Sequence, residues 1–259
     1  MKTAAITMAA LLAALTSCTA LFDCIEGNGD LKSEERSASS SFTAIANTTS
    51  FHVIYVKGEA HGIRVEAESN LLPYIETDIS GGALEIRTVP GSHCLRYNTQ
   101  PVITVTAPMI SELVNAGSGD MVAGPLEGEE VKLIASGSGD ITTGGISGED
   151  VTVIVSGSGN VATEEIVATS VKATMSGSGD LAVGGEAANA RYILSGSGQV
   201  VAGNLVVEEA IVTISGSGSV YTTVTESLDA VISGSGNIYL SGNPQVSLTR
   251  TGSGRIINL

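Results

Sequence analysis

The sequence predicts an all-β protein built as a parallel β-helix, and three observations support this fold class. A Gly-Ser-Gly motif occurs eight times between Gly117 and Gly254, with first glycines 18–20 residues apart. A fixed period of this length is typical of a solenoid, in which each coil stacks only on its neighbours. Short segments that alternate apolar and polar residues flank the motif, which indicates strands. The 32 glycines disfavour long helices, because each interior glycine costs a helix about 1 kcal/mol.

Each coil is expected to hold one strand before the motif and a shorter strand after it. In the five residues before the motif, as in 131–135 and 151–155, the first, third and fifth places are apolar. One apolar residue follows every motif, and a third apolar position recurs weakly further on. Stacked coils have a spacing of about 4.8 Å, so eight coils predict a rod roughly 35–40 Å long.

The motif glycines are expected to form a corner of the coil. Such a corner needs either a positive φ or a close approach of stacked chains, and glycine permits both. The Asp or Asn that often follows tolerates the left-handed region better than other residues do. A leucine-rich horseshoe is the competing solenoid, but its Leu/Asn signature is missing, and a propeller needs periods of about 40 residues.

Residues 42–259 are predicted to be a single β-helix domain. Within it, residues 111–259 are the repeat coils. Residues 42–110 contain further strand-like segments at 51–56, 62–67, 83–88 and 102–106. We interpret residues 42–110 as irregular first coils and an N-terminal cap, which would protect an otherwise open sheet edge.

The N-terminus resembles a bacterial lipoprotein signal peptide. Lys2 precedes an apolar segment at residues 4–15, which is too short to span a bilayer, and Leu15-Thr16-Ser17-Cys18 resembles a lipobox. The resemblance implies that residues 1–17 are removed and that Cys18 becomes the lipidated first residue, held stably by several acyl chains. An ordinary secretory peptide with an incidental cysteine is the alternative. Residues 18–41 are polar and are predicted to be a tether.

The expected location is the outer membrane, on either its periplasmic or its outer face. Thr19 follows Cys18, whereas in enteric bacteria an Asp there would mean retention at the inner membrane. Removal of residues 1–17, which contain Lys2 and no acidic residue, changes the formal net charge from -15 to -16. So acidic a chain disfavours nucleic-acid binding. The expected partners are the membrane, through the anchor, and an unidentified protein or glycan; the oligomeric state is left open.

Two further cysteines, Cys24 and Cys94, form a candidate disulfide. An oxidising compartment allows them to pair, and the bond would then tie the tether to the folded body. Two free thiols are the alternative.

The residues that follow the motif are expected to stack in a column about 5 Å apart. They are Asp120, Asp140, Asn160, Asp180, Gln199, Ser219, Asn237 and Arg255. One interpretation is Ca²⁺ bound by Asp120, Asp140 and Asp180, because hard cations take several oxygen ligands. The other is side-chain hydrogen bonding along the ladder. We favour the second, since calcium-binding repeats recur every nine residues rather than every 18–20.

A stripe without charge is predicted on the outer face of the strand before the motif. Its members are Ile134, Ile154, Thr174, Ile193, Thr213, Val231 and Thr249. The stripe reflects either β-propensity on a flat ladder or a docking face for a partner or glycan. Few aromatic platforms accompany it, although Tyr221 and Tyr239 share one repeat position and could stack.

The residues do not predict an active site. Parallel β-helices also include polysaccharide lyases and hydrolases, which need clustered carboxylates in a cleft. Here His52, His61 and His93 lie upstream of the repeats. Acidic pairs recur with the repeat, as is typical of a solvated corner; they are Glu129-Glu130, Glu149-Asp150, Glu164-Glu165 and Glu208-Glu209. We therefore predict no catalytic, cofactor-binding or metal-binding residues.

The order of segments resembles a known family. Phe42-Thr43-Ala44-Ile45 is followed by FHVIYVKGE, IRVEAESNLLPYI, GGALEIRT, VITVTAP and the SGSGD/N coils. Over roughly residues 42–255 this is similar to the putative auto-transporter adhesin head GIN domain, a domain of unknown function. The resemblance implies a right-handed β-helix, often on lipoproteins of Bacteroidetes-type bacteria.

We accordingly expect a non-enzymatic envelope lipoprotein that presents a binding or adhesion surface. A polysaccharide-active enzyme and a periplasmic scaffold are the alternatives. No series of alternating ten-residue strands follows the last coil before Leu259, so we do not expect secretion through a barrel of the chain's own.

Overall fold

The computed structural model describes residues 24–91 and 94–259, and almost all regular structure in them is β-strand. The helical element in this part of the chain is a 3₁₀ turn at Leu72–Tyr74. No helix among the described residues is long and apolar enough to cross a membrane.

The strands number 23 in the described residues. Those before the repeats are β1 (Ile25–Glu26), β2 (Leu31–Arg36), β3 (Ala44–Asn47), β4 (His52–Lys57), β5 (Gly62–Glu68), β6 (Ile75–Ser80), β7 (Ala83–Thr88), β8 (Leu95–Arg96) and β9 (Val102–Ala107). Those of the repeats are β10 (Glu112–Asn115), β11 (Met121–Ala123), β12 (Leu126–Glu127), β13 (Glu130–Ala135), β14 (Ile141–Thr143), β15 (Ile146–Val155), β16 (Val161–Thr163), β17 (Ile166–Met175), β18 (Leu181–Leu194), β19 (Val200–Ile214), β20 (Val220–Ile232), β21 (Ile238–Ser241), β22 (Gln245–Arg250) and β23 (Ile256–Asn258).

The repeat coils stack in parallel and present three faces. The first face is formed by the strand before each motif, such as β13 and the second halves of β15 and β17. The second face is formed by the short strand after the motif, such as β11, β14 and β16. The third face joins the other two and includes β12 and the first residues of β15 and β17. The predicted parallel β-solenoid is confirmed.

The core is a narrow column of apolar side chains that run the length of the rod. Val131, Leu133 and Ala135 are buried in one coil, and Val151 and Val153 occupy the same places in the next. Alternation places these residues inward and their neighbours outward. Each buried Val or Leu contributes about 1.5–3 kcal/mol relative to an exposed position.

The corner glycines are needed for close approach rather than for an unusual backbone conformation. A Cβ on Gly157 would overlap the carbonyl oxygen of Gly137 in the coil below, and Gly177 lies on Gly157 in the same way. Among the described residues, positive φ angles occur at glycines outside the motif, and no other residue has one. The expectation that Asp140 and its equivalents favour the left-handed region is therefore wrong.

The N-terminal coils do not stack in chain order. β4 lies between β9 and β11, and β3 lies between β7 and β10. The coil made by β7 and β9 thus lies below the coil made by β3 and β4, although it comes later in the sequence. The antiparallel strands β5 and β6 pair with β9 and β7 respectively, and β2 pairs with β5. β5 and β6 lie beyond the coil of β7 and β9, and we call these two strands the cap.

The folded body begins earlier than residue 42. β2, which lies within the predicted tether, pairs antiparallel with β5 over all of its six residues. β1 pairs with β8, and Cys24 beside it forms a disulfide with Cys94, with a Cα–Cα distance of 4.6 Å. The chain from residue 24 to 36 is therefore held against the cap, because pairing satisfies its backbone groups.

A pair of buried hydroxyls interrupts the apolar core. Tyr192 Oη and Thr222 Oγ1 are buried, and neither has a hydrogen-bond partner among the described residues. Burial raises the pKa of Tyr192, and the nearby Thr222 hydroxyl partly opposes that shift. Burying an unpaired hydroxyl costs about 1–3 kcal/mol.

We expect Tyr192→Phe to leave the free energy of unfolding unchanged or to raise it by about 1 kcal/mol, because it removes a polar atom that gains nothing from burial. Guanidinium unfolding of Tyr192→Phe, Thr222→Val and the double variant measures this effect. If each single change instead costs about 1 kcal/mol and the double costs no more, the two hydroxyls are hydrogen-bonded and the prediction is wrong.

Candidate binding surfaces

The column after the motif is a hydrogen-bonded ladder. Asp120 Oδ1 accepts from the backbone N–H of Asp140 at 3.0 Å, and Asp140 Oδ1 accepts from that of Asn160 at 2.7 Å. Asn160, Asp180, Ser219 and Asn237 accept from the next coil in the same way. The hydrogen-bonding interpretation is confirmed.

The same ladder bears on the calcium interpretation. Ca²⁺ would compete with backbone N–H groups for the Oδ1 atoms of Asp120, Asp140 and Asp180. Within residues 24–91 and 94–259, no group of three or more His, Cys, Asp or Glu side chains is placed to hold a metal ion.

The predicted uncharged stripe lies on the outside of the first face. Ile134, Ile154, Thr174 and Ile193 occupy successive rungs, followed by Thr213, Val231 and Thr249. The first five are half-buried, whereas the last two are exposed. This face is flat.

The second face carries an uncharged outward column of its own. Its members in rung order are Ile54, Val122, Thr142, Ala162, Ala182, Val201, Tyr221, Tyr239 and Ile257. Tyr221 and Tyr239 stack, with ring centroids 4.4 Å apart and planes 7° from parallel. Each ring covers one face of the other, so stacking reduces the ring face that a sugar could pack on.

The third face carries an open groove, which the sequence did not predict. Three adjoining depressions of about 380, 560 and 190 Å³ all include Val167 in their walls. Val167 and Val206 project into the groove and are each 45% exposed. Small residues form its floor; they are Gly128, Gly148, Ala168 and Ala187. Their recurrence at one repeat position was the signal that could have revealed the groove.

Carboxylates line the rim of this groove. They belong to Glu127, Glu149, Glu165, Glu186 and Glu208. The predicted acidic pairs are all exposed, but they lie at two different corners. Glu129-Glu130, Glu149-Asp150 and Glu208-Glu209 lie between the third and first faces, whereas Glu164-Glu165 lies between the second and third. The groove therefore suits a partner that offers apolar groups together with positive charge.

A buried carboxylate holds the N-terminal segment against the cap. Glu68 is fully buried, and its oxygens accept from the backbone N–H groups of Gly29 and Asn98 and from the side-chain amide of Asn98. The Asn98 amide is the main reason that the pKa of Glu68 lies below its ordinary value of 4.5, against the opposing effect of burial. Glu68 fixes the chain next to Cys24.

We expect the hydrogen bonds of the Glu68 carboxylate to make the attachment of the N-terminal segment sensitive to acid. A carboxylate whose folded pKa is lowered contributes stability that is present above about pH 4.5 and is lost as the pH falls through the folded pKa. Glu68→Gln should therefore lower the melting temperature at neutral pH by about 5 °C, and the difference between the two melting temperatures should shrink as the pH falls below 4.5. Melting temperatures across this range check the effect, with the exposed Glu59→Gln as control. A constant difference at every pH would contradict it.

The remaining predicted residues divide between described and undescribed segments. The predicted lipidation site, Cys18, and the predicted signal peptide lie outside the described residues, as does His93. His61 lies beside Phe42, with ring centroids 4.7 Å apart and its Nε2 3.1 Å from the Phe42 carbonyl oxygen. His52 begins β4. Neither described histidine belongs to a catalytic arrangement with the groove residues.

Comparison with solved structures shows where this fold recurs. A putative adhesin from Parabacteroides merdae is 24% identical with a TM-score of 0.80, and the match covers 92% of this chain and 99% of that chain. A putative adhesin from Parabacteroides distasonis is 22% identical with a TM-score of 0.79, over 92% and 100%. A protein described as a putative lipid binding protein, also from Parabacteroides distasonis, is 26% identical with a TM-score of 0.76, over 91% and 99%. No curated protein matches the chain.

The family assignment depends on the sequence as well as on the fold. The model of the family described as "Putative auto-transporter adhesin, head GIN domain" matches residues 41–164 and 132–244, which together are most of the chain. An adhesin-type family favours a location in the cell envelope or at the cell surface. This match covers the stacked coils and most of the SGSG corners on which the resemblance was based, and the chain therefore belongs to the GIN-domain family.

Proposed function

We propose that the protein is a non-enzymatic, lipid-anchored protein of the cell envelope that uses the sides of its solenoid as a binding or adhesion surface. The observation that carries this proposal is the groove on the third face, which extends over successive coils from Pro125 to Thr225. Val167 and Val206 supply apolar contact within it, and the rim carboxylates supply charge selectivity.

The anchor would keep the solenoid close to the membrane. If Cys18 carries the lipid, only five residues separate the lipid-bearing cysteine from the disulfide at Cys24. Six residue steps of extended chain span at most about 20 Å. The N-terminal end of the rod would thus remain near the outer membrane surface.

Adhesion of cells to immobilised glycans and matrix proteins tests the groove. Val206→Arg should reduce attachment at least tenfold, because it places bulk and charge in the groove. Val201→Arg is the matched control, since Val201 is 44% exposed on the second face and Val206 is 45% exposed on the third. Equal attachment of both variants would overturn the assignment of binding to the groove.

Two further measurements separate the alternatives. Cys18→Ala should move the protein from the membrane to the soluble fraction, and surface protease should cleave the wild-type protein on intact cells. Protection from protease would favour a periplasmic scaffold. Release of a product from a glycan, lost in Glu149→Gln, would instead establish an enzyme.

A further inference from the structure

Three of the five basic residues of the repeat coils lie in one column of the first face, and the other two, Arg250 and Arg255, lie in the last coil. Between residues 111 and 249 the chain contains three, Lys132, Lys172 and Arg191, although its net charge is -15. The strand register places all three in one outward column of the first face, where Thr152 separates Lys132 from Lys172 and Arg191 follows Lys172 directly. We call Lys172 and Arg191 the cation pair.

Lys132 differs from the cation pair in having a carboxylate partner. Its Nζ lies 3.1 Å from Glu130, and the hydrogen bond to Glu130 raises the pKa of Lys132. The column that contains Glu130 continues with Asp150 and, further up the rod, with Glu209. At the two rungs of the cation pair this acidic column is interrupted by Ser170 and Asn189.

The cation pair is therefore left without neutralisation. Lys172 and Arg191 are both exposed on adjacent rungs, and no ion pair reaches either of them among the described residues. Like charges directly opposite each other destabilise a sheet. Ser170 and Asn189 stand where carboxylates would neutralise the two cations, so the repulsion between Lys172 and Arg191 persists. The hydroxyl and the amide also add hydrogen-bond donors, which an anion site requires.

We propose that Lys172 and Arg191, with Ser170 and Asn189 beside them, bind the carboxylate or sulfate groups of an acidic polysaccharide. An Arg guanidinium pairs with such groups through two parallel hydrogen bonds, and a neighbouring ammonium adds a point charge. Ile211, which follows Arg191 in the same column and is 42% exposed, provides apolar contact beside the site.

The width of the site favours one narrow chain over a broad anionic surface. The cation pair spans two rungs, or about 5 Å along the rod. Asp150 and Glu209 flank it in the adjacent column, one rung below and one rung above. A bilayer of anionic lipids would meet these carboxylates, whereas a single polymer chain lying along the strands would avoid them. The acidic net charge also repels polyanions at longer range, so the attraction is local.

Binding of defined polymers to the purified protein tests the proposal. Polygalacturonate supplies carboxylates and dextran sulfate supplies sulfates, with uncharged dextran as the negative probe. We expect Lys172→Gln/Arg191→Gln to weaken binding of at least one polyanion about tenfold or more. Lys132→Gln should change it less than about twofold, because Glu130 already neutralises Lys132.

A second double variant and a measurement of melting temperature separate a loss of binding from an effect on folding. Ser170→Glu/Asn189→Glu restores the acidic column and should abolish binding. Lys172→Gln/Arg191→Gln should melt no lower than the wild-type protein, since it removes repulsion.

The proposal is overturned if the double glutamine variant binds both polyanions as the wild type does, or if Lys132→Gln weakens binding equally. It is also overturned if anionic phospholipid vesicles bind more tightly than either polymer, or if the cation pair acts only in self-association of the chain. The site lies on the first face, so its test is independent of the groove variant Val206→Arg.

Discussion

Gly157→Ala is expected to destabilise the solenoid by about 3 kcal/mol or more. The new Cβ would overlap the carbonyl oxygen of Gly137 and would also approach that of Ser136. Both are backbone atoms of the coil below, so no side-chain rotation can relieve the overlap. The coils must separate locally, and the hydrogen bond from Ser158 N–H to the Gly137 oxygen, 3.1 Å long, is then lost. Guanidinium unfolding followed by circular dichroism measures the loss.

Gly203→Ala is the matched control for this change. No heavy atom lies within 4 Å of a Cβ built on Gly203, and its φ is not positive. We expect its free energy of unfolding to lie within about 0.5 kcal/mol of the wild-type value. If both alanine variants were equally stable, close stacking would not be the reason for the corner glycines.

Removing the disulfide is expected to cost about 4 kcal/mol of folding free energy, because Cys24 and Cys94 are 70 residues apart and the bond restricts the unfolded chain. The first consequence should be loss of protection in β1 and β2, which hydrogen exchange of the Cys24→Ser/Cys94→Ser variant would detect. The cap beneath the coils should remain protected longer, since β5 and β9 pair independently of these strands.

Reduction supplies the control for the disulfide. A reductant should lower the stability of the wild-type protein to that of the double serine variant and should leave the variant unchanged. Mass spectrometry after thiol alkylation without reduction shows directly whether Cys24 and Cys94 are bonded or free. Alkylation of both Cys24 and Cys94 under those conditions would show that the pair is free and would contradict the prediction.

The repeats could be predicted in detail because their information is local. Alternation within residues 131–135 already separates the buried Leu133 from the outward Ile134, and the period of the motif aligns each coil with the next. The register in the structure follows that alignment from β10 to β17 without a shift. The conformation of the corner could not be predicted, because a glycine permits both a positive φ and close packing.

The N-terminal part was less predictable because its contacts join distant residues. Nothing in residues 44–57 indicates that a coil formed from residues 83–107 lies beneath them, since stacking order depends on which edge each strand meets. From the sequence, Glu68 looks like an ordinary polar residue of a strand, with no sign that it is buried. Its burial depends on Gly29 and Asn98, which are 39 and 30 residues away.

By itself the sequence determined the all-β class, the parallel coils and the inward and outward faces of the strands. Each of these follows from a period of two within a strand or about twenty along the chain. Only the tertiary structure decided the order of the first coils, the groove around Val167 and the absence of a carboxylate partner beside the cation pair in the described residues. Those features depend on side chains that strand register and the path of the chain between coils bring together. A local sequence pattern indicates neither the register nor the path.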